Sequence, residues 1–430
     1  MAIRVNPWPL SATLPAVNSR EVALHLLQQW SNSRRLADEL LDATLAETAL
    51  APADRAFVTE LFYGCLRQQL ALEFLESRLV TKPPRAIVRA ILHLGLYQLH
   101  FLRTPAHAAV HETVELAKRH TTAAETRFIN AILRRTQPDA LRDAPVWVQH
   151  SHPEWLWQRW TARYGSAATT QLCEWNNQPP PVYVRWNTLK GPPPVGADCI
   201  RDESGSRLEI APTNHPLCFR VNDASAFFAS LAWKQGGFYV QDPSTLIAVD
   251  VLDPQPGESI LDLCAAPGGT TTYIAQKMQN QGRILAGDSS ASRLGRVGEN
   301  CRRLGITIVA TLACDGARPD ACLRGSTFDR VLVDAPCSNT GVLRRRPDLR
   351  WRLTPDEITR LVATQRRLLS AAAQRVRPGG VLVYSTCSLE PEENDQVAVD
   401  LPGFTRETQR ATFPPRDNMD GAFVVRWVRR

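Results

Sequence analysis

At 430 residues the chain exceeds one ordinary domain, and 22% charged with 44% apolar residues is a globular balance that excludes a disordered or collagen-like chain. No apolar run approaches the ~20 residues of a membrane span, and the proline-broken start MAIRVNPWPLSATLP lacks the apolar core of a secretory signal, so a cytoplasmic protein without a membrane partner is expected. The net charge of +7 suits a nucleic-acid partner, although only five of the fifty basic residues are lysine, a bias that GC-rich codons produce by themselves.

Residues 1–140 are expected to form an all-helical domain. Apolar residues recur at helical spacing in 21–30, 36–50, 53–79, 84–102, 107–120 and 123–136, which predicts about six helices. Pro83-Pro84 and Thr104-Pro105 mark two of the joints. Arg127, Arg134 and Arg135 are basic positions that fit RNA contact and plain surface charge equally well. His107 and His111 lie four apart but lack the glutamate of H-E-x-x-H and a third ligand, so they read as ordinary helix residues and no metal is expected.

Residues 141–235 read as a small α+β module. Tryptophan-rich helical text (152–165) meets a proline break at 179–181, and short apolar runs such as VYVRWN and LCFRV then alternate with loops. From 236 to 430 the pattern becomes α/β. Strand-like runs at 259–264, 283–288, 306–313, 328–335 and 381–386 alternate with helices, which predicts a parallel sheet of Rossmann-like type. Thr354, Pro355 and Glu357 predict a capped helix start, and Pro378-Gly379-Gly380 is expected to end that helix before the next strand.

The chemistry gathers at the expected strand ends. LDLCAAPGGTTT (261–272) is a strand, a glycine turn and a helix, where a doubly wound sheet holds a nucleotide-like ligand. It is neither a P-loop nor G-x-G-x-x-G. Asp288, closing the second strand, is placed to hold ribose hydroxyls, and Asp315, after the third, to meet an adenine edge. Each carboxylate alone could simply cap the next helix. Together they indicate an adenosine cofactor, and the missing phosphate-binding features favour S-adenosylmethionine over NAD or ATP. Ten cysteines without an export signal or a C-x-x-C pair are expected to be reduced, mostly packing residues. Cys337, in DAPCSNTG, and Cys387, in YSTCSLEPEEN, differ because both follow strands at the cofactor edge.

The ordered motifs AAPGG, D-A-P-C-S-x-T-G and S-T-C-S resemble those of the RNA cytosine-5 methyltransferases. FYGCLRQQLALEFL, HAAVHETVELAKR and FINAILRR resemble the domain shared with the antitermination factor NusB. The pairing is similar to the Sun/Fmu family of bacterial 16S ribosomal RNA cytosine-5 methyltransferases. The resemblance implies an S-adenosylmethionine-dependent enzyme, expected as a monomer, acting on 16S rRNA or a small-subunit assembly intermediate. It implies that Cys387 attacks C6 of the base, that Cys337 assists proton removal or product release, and that Asp334 contacts the base at N3. It carries cofactor contacts to Cys264, Ala265, Ala266, Pro267, Gly268, Gly269, Thr270, Asp288, Asp315 and Asp334. Thr270 stands where the family usually has lysine, and Asn339 where it usually has glycine. Arg344, Arg345, Arg346, Arg350 and Arg352 around Trp351 are expected to meet RNA. The catalytic motifs leave a transfer-RNA substrate open, and a non-catalytic RNA-binding assembly or antitermination factor is the alternative of another class, against which both retained cysteines argue.

Overall fold

In the computed structural model, which describes residues 18–193, 210–318, 322–323 and 325–430, the periodic text from residue 19 folds into seven helices. They are Ser19–Asn32, Ala37–Glu47, Pro52–Arg67, Gln69–Leu79, Ala86–His100, Ala106–His120 and Ala123–Arg135. The stretch 53–79, expected as one helix, breaks at Gln68, whose φ of −102° and ψ of 18° leave the helical region. The helix before the break packs into two cores, and the helix after it into one of them. Val58, Phe62 and Leu66 pack with Leu26 and Leu40, while Leu61, Cys65, Leu72 and Leu75 join Ile91, Leu92 and Leu133. A capping box starts the helix Ala123–Arg135. The Thr122 side chain accepts the Glu125 N–H, and the Glu125 carboxylate accepts the Thr122 N–H. Arg127, Arg134 and Arg135 are exposed, as are His107 and His111.

The chain parts into two compact units between Cys173 and Glu174, so the helices Val146–Gln149 and Glu154–Tyr164 belong to the first unit. The second unit holds two sheets. The smaller orders β2 (Ile210–Pro212), β3 (Cys218–Val221), β1 (Val182–Trp186) and β4 (Phe238–Val240), all antiparallel. Val184, Phe219, Phe227 and Phe238 form its buried core.

The larger sheet has seven strands: β5 (Ser259–Asp262), β6 (Arg283–Asp288), β7 (Val309–Ala313), β8 (Phe328–Asp334), β9 (Val376–Thr386), β10 (Phe404–Ala411) and β11 (Phe423–Arg429). Their spatial order is β10-β11-β9-β8-β5-β6-β7. Strands β5 to β9 are parallel, while β11 and β10 run antiparallel at one edge. The α/β expectation therefore holds with two strands added. Strand β10 (FTRETQRA) is exposed along most of its length, and such a charged edge strand carries little of the apolar signal by which strands are read.

The helix Pro355–Ala373 starts on Thr354, whose side chain accepts the Glu357 N–H, but the Glu357 carboxylate turns to Arg360 instead of closing the box. Pro378-Gly379-Gly380 does not separate helix from strand. The helix ends at Ala373, β9 begins at Val376, and the three residues lie within β9 where its pairing with β8 shifts register. Such a bulge admits proline and glycine without ending the strand. Among the described residues no helix is long and apolar enough to cross a membrane.

Candidate active site

Neighbouring strands β5 and β8 send their chains in opposite lateral directions, β5 towards β6 and β7, and β8 towards β9. A crevice opens outside the carboxyl ends of strands at such a reversal. Here it is a cavity of about 530 Å³. Its walls include Cys264, Ala266, Asp288, Asp315, Asp334, Cys337, Arg346 and Cys387, eight of the residues singled out in the sequence. Arg293, Asn339 and Arg367 also line it. Arg293 and Arg367 lie on helices whose sequence shows only ordinary surface arginines, so no motif marked them.

The turn after β5 is shaped by glycine. Gly268, with φ of 107°, caps the helix Gly269–Lys277, and a Cβ there would come within 3.3 Å of Val297 Cα. The hydroxyls of Thr270 and Thr271 donate to Asp262 Oδ2 at 2.9 and 2.6 Å. Thr270 thus faces the buried carboxylate of β5 and is not among the cavity-lining residues; nor are Ala265, Pro267, Gly268 and Gly269, which form the turn's frame. Burial pushes Asp262 up to about 7, against the pull of its two hydroxyl donors and with a further push from Asp334 and Asp288. Its Oδ1 is buried with no hydrogen-bond partner among the described residues. Burial, then the same three carboxylates, also drives the Cys264 thiol well up.

This donor set fits an adenosyl amino acid. Carboxylates gather where a ribose and an ammonium would bind, the helix N-terminus faces the same turn, and no lysine is set for a phosphate. Asp288 Oδ1 already accepts the Ser290 N–H and the Arg293 guanidinium at 2.8 and 2.7 Å. Asp315 is exposed, and its side chain accepts the Ala317 N–H at 3.0 Å.

Across the cavity, Cys337 Sγ and Cys387 Sγ are 3.3 Å apart. Asn339, in the left-handed region at φ 60°, bridges them. Its Nδ2 donates to the Cys337 carbonyl at 2.7 Å, and its Oδ1 accepts the Cys387 thiol at 3.3 Å. Asparagine keeps this turn where the family usually has glycine, and its carboxamide contacts both cysteines. Gly341 donates its N–H to the Cys387 carbonyl at 2.9 Å, and Gly421 donates to the Gly341 carbonyl at the same length. A Cβ on Gly341 would stand 2.5 Å from the Cys387 oxygen and 2.7 Å from Gly421 Cα.

Behind the cysteines, fully buried Glu393 accepts the Ser338 N–H at 2.9 Å, the Ser388 hydroxyl at 2.5 Å, the Ser338 hydroxyl, and the Gln365 amide at 2.9 Å. One carboxylate thus ties down the residue following each cysteine. The hydrogen bond with Cys387, then burial, then the charges of Cys387 and Glu393 push the Cys337 thiol well above its ordinary value. Burial likewise raises Asp334, whose Oδ1 accepts the Ser385 hydroxyl at 2.8 Å.

The arginine cluster does not form a single outward face. Arg345 is gripped by Asp242 at 2.7 Å and by Asp420. Arg350 is wholly buried and donates to Asn177 Oδ1 and the Asn176 carbonyl. Arg344 stacks over Trp175 at 4.4 Å and donates to the Pro179 carbonyl. Trp351 and Arg352 are partly exposed outside the cavity, leaving Arg346 as the cluster's member in its wall. A 3₁₀ turn at Pro347–Trp351 directs Arg350 inwards.

Three family descriptions match the chain: 16S rRNA methyltransferase RsmB/F over residues 249–401, NusB family over 17–138, and the ferredoxin-like domain of RsmF/B-like methyltransferases over 152–193. A Synechocystis protein named as a probable ribosomal RNA small subunit methyltransferase B is 36% identical, covering 88% of this chain and 87% of its own. A Bacillus subtilis protein of the same name is 34% identical over 88% of this chain and 86% of its own. One solved crystal structure shares the fold at a TM-score of 0.79 and 24% identity, covering 97% of this chain and 99% of that one.

Proposed function

The chain belongs to the family of 16S rRNA methyltransferases of the RsmB type, and from that premise we propose that it forms 5-methylcytosine in 16S rRNA, or in a small-subunit assembly intermediate, with Cys387 as the attacking thiol. S-adenosylmethionine supplies the electrophilic methyl group. The observation that carries the reading is the meeting of Cys337, Cys387, Asp334 and Asp288 in one cavity.

Cytosine C5 is too weak a nucleophile to take a methyl group unaided. Addition of the Cys387 thiolate at C6 forms a carbon–sulfur bond and pushes electron density onto C5, which then attacks the methyl carbon. Negative charge builds on the ring as sulfur adds, and Asp334 meets it at N3. Burial raises Asp334, which favours its protonated form, and the Ser385 hydroxyl fixes one of its oxygens. Completion requires loss of the C5 proton and return of the carbon–sulfur electron pair to Cys387. Cys337, 3.3 Å from that sulfur, assists proton removal or product release. The base must be unpaired or flipped out to expose C5 and C6.

Asp288 and the turn 264–270 hold the cofactor, with Asp315 at its adenine end. Residues 1–140 act as an RNA-binding domain of the NusB kind, Arg346 is the leading candidate for an RNA contact at the cavity, and the enzyme works in the cytoplasm as a monomer. Loss of methyl transfer in Cys387→Ala with S-adenosylhomocysteine binding retained is the expected result, and near-normal turnover by that variant rules out the nucleophile assignment. Cys337→Ala is expected to accumulate a denaturant-resistant protein–RNA adduct. Mapping of 5-methylcytosine with and without the gene separates the substrates: loss of a mark in 16S rRNA supports the reading, and loss confined to transfer RNA overturns it.

A further inference from the structure

Arg185, on β1 of the small sheet, is completely buried, and among the described residues its hydrogen bonds all run to neutral groups. Its Nη1 donates to the Gly269 carbonyl at 3.0 Å and to Gln241 Oε1, its Nη2 to Thr272 Oγ1 at 2.9 Å, and its Nε to Gln276 Oε1 at 3.0 Å. Tyr273 and Tyr239 flank the guanidinium, with ring centroids 4.8 and 5.2 Å from Cζ. Three of these contacts reach the helix Gly269–Lys277 at its first, fourth and eighth residues. Gly269 also rests against Tyr239 and Gln241, where a Cβ would come within 3.4 Å of each. The small sheet is thus built against the helix that follows the cofactor turn.

Burying a guanidinium without a carboxylate costs several kcal/mol, so an all-neutral set of acceptors calls for a reason. The cation sits behind a helix N-terminus, whose own dipole is positive, and the two fields add. Neither of the hydroxyls at 270 and 271 supplies charge, since both serve Asp262. Cys264 and Ala266 of the same turn line the cavity beside this helix start, so the carboxylate of a bound cofactor would be the anionic group for such a field to hold. Burial lowers Arg185 to about 10, which leaves it charged at neutral pH.

We propose that Arg185 is a positioning residue for the cofactor: it fixes the start of the helix Gly269–Lys277 and supplies the positive field that holds the cofactor carboxylate. This rests on the cofactor reading above. It also gives the small sheet a part in methyl transfer, acting through Gly269 and Thr272 without touching the cofactor.

Calorimetric titration with S-adenosylhomocysteine and with its decarboxylated analogue, which lacks only the carboxylate, tests the proposal on the full chain. The ratio of the two affinities cancels general loosening of the cavity. In Arg185→Met that ratio is expected to fall about tenfold from its wild-type value, a change in discrimination equivalent to about 1.4 kcal/mol, while RNA affinity stays within about twofold. Arg185→Lys keeps the charge without the fork and is expected to hold the ratio within about threefold, which also covers failure of Arg185→Met to fold. An unchanged ratio in Arg185→Met overturns the proposal, as does a collapse of the ratio in Arg185→Lys. Wild-type protein that binds neither ligand overturns the cofactor reading itself and this proposal with it; a changed ratio alongside active Cys387→Ala upholds Arg185 and rejects the nucleophile.

Discussion

Cys337 and Cys387 hold their sulfurs 3.3 Å apart on loops that leave the adjacent parallel strands β8 and β9. Two thiols this close need only a small approach to bond. Treatment with diamide, which takes two electrons and both thiol protons, is expected to join them and remove more than about 90% of methyl transfer, with recovery after dithiothreitol. Peptide mapping should find the Cys337–Cys387 link. Failure to find it would mean that the loops do not hold this spacing in solution.

Glu393 sets that spacing from behind. Glu393→Ala leaves the Ser338 N–H and the Gln365 amide without their buried acceptor, at about 1–3 kcal/mol for each. We expect unfolding to become easier by about 3 kcal/mol and single-turnover methyl transfer to fall by a factor of about 100 or more. Glu393→Gln keeps the shape and much of the hydrogen bonding, so its loss should be clearly smaller. Thermal unfolding and rapid-quench assays check the two parts separately.

Asp262 makes stability depend on pH. The folded chain keeps this carboxyl protonated up to about pH 7, whereas the unfolded chain releases the proton near pH 4. Between those values the folded state binds more protons, so stability falls as pH rises through the window, by up to about 4 kcal/mol from this group. Asp262→Asn is expected to flatten that fall and to be the more stable form at pH 8 in the absence of cofactor. Denaturant unfolding at pH 4 to 8 measures the slope, and an identical slope in the variant would be the contrary result.

Gly341→Ala places a methyl group against two pieces of backbone, the Cys387 carbonyl and Gly421 Cα, neither of which is the flexible end of a side chain. The Cys387 loop must shift, and a shift of about 1 Å at a reacting atom costs about 100-fold in rate. Methyl transfer should fall by that order while S-adenosylhomocysteine affinity changes less than about threefold.

What the sequence disclosed follows from how local each signal is. The parallel strands were legible because buried β-strands read as apolar runs, and the cavity's acids and cysteines because each closes such a run. Asp262 and Thr270 were both visible, but their hydrogen bond depends on how the turn folds back, which spacing alone does not specify. The arginine cluster misled for a related reason. Arg345 meets Asp242 and Asp420, and Arg350 meets Asn176 and Asn177, partners from distant parts of the chain that only the folded sheet brings in. Arg185 gave no signal at all, since VYVRWN reads as a strand with one ordinary charge. Strand β11 has its antiparallel place beside β9 only in the folded sheet.

The contact between Gly341 and Gly421 has a consequence for the order in which the enzyme comes into being. Both cysteines and all five parallel strands precede Gly421 in the chain, so a growing polypeptide can hold every reactive group before the residues that brace them have been made. Asp420, Gly421 and β11 leave the ribosome last among the parts of the site. Until they pack, Gly341 lacks the hydrogen bond from Gly421, and Arg345 lacks one of its two carboxylates. The loop that carries Cys387 therefore takes part of its support from residues that follow it in the chain.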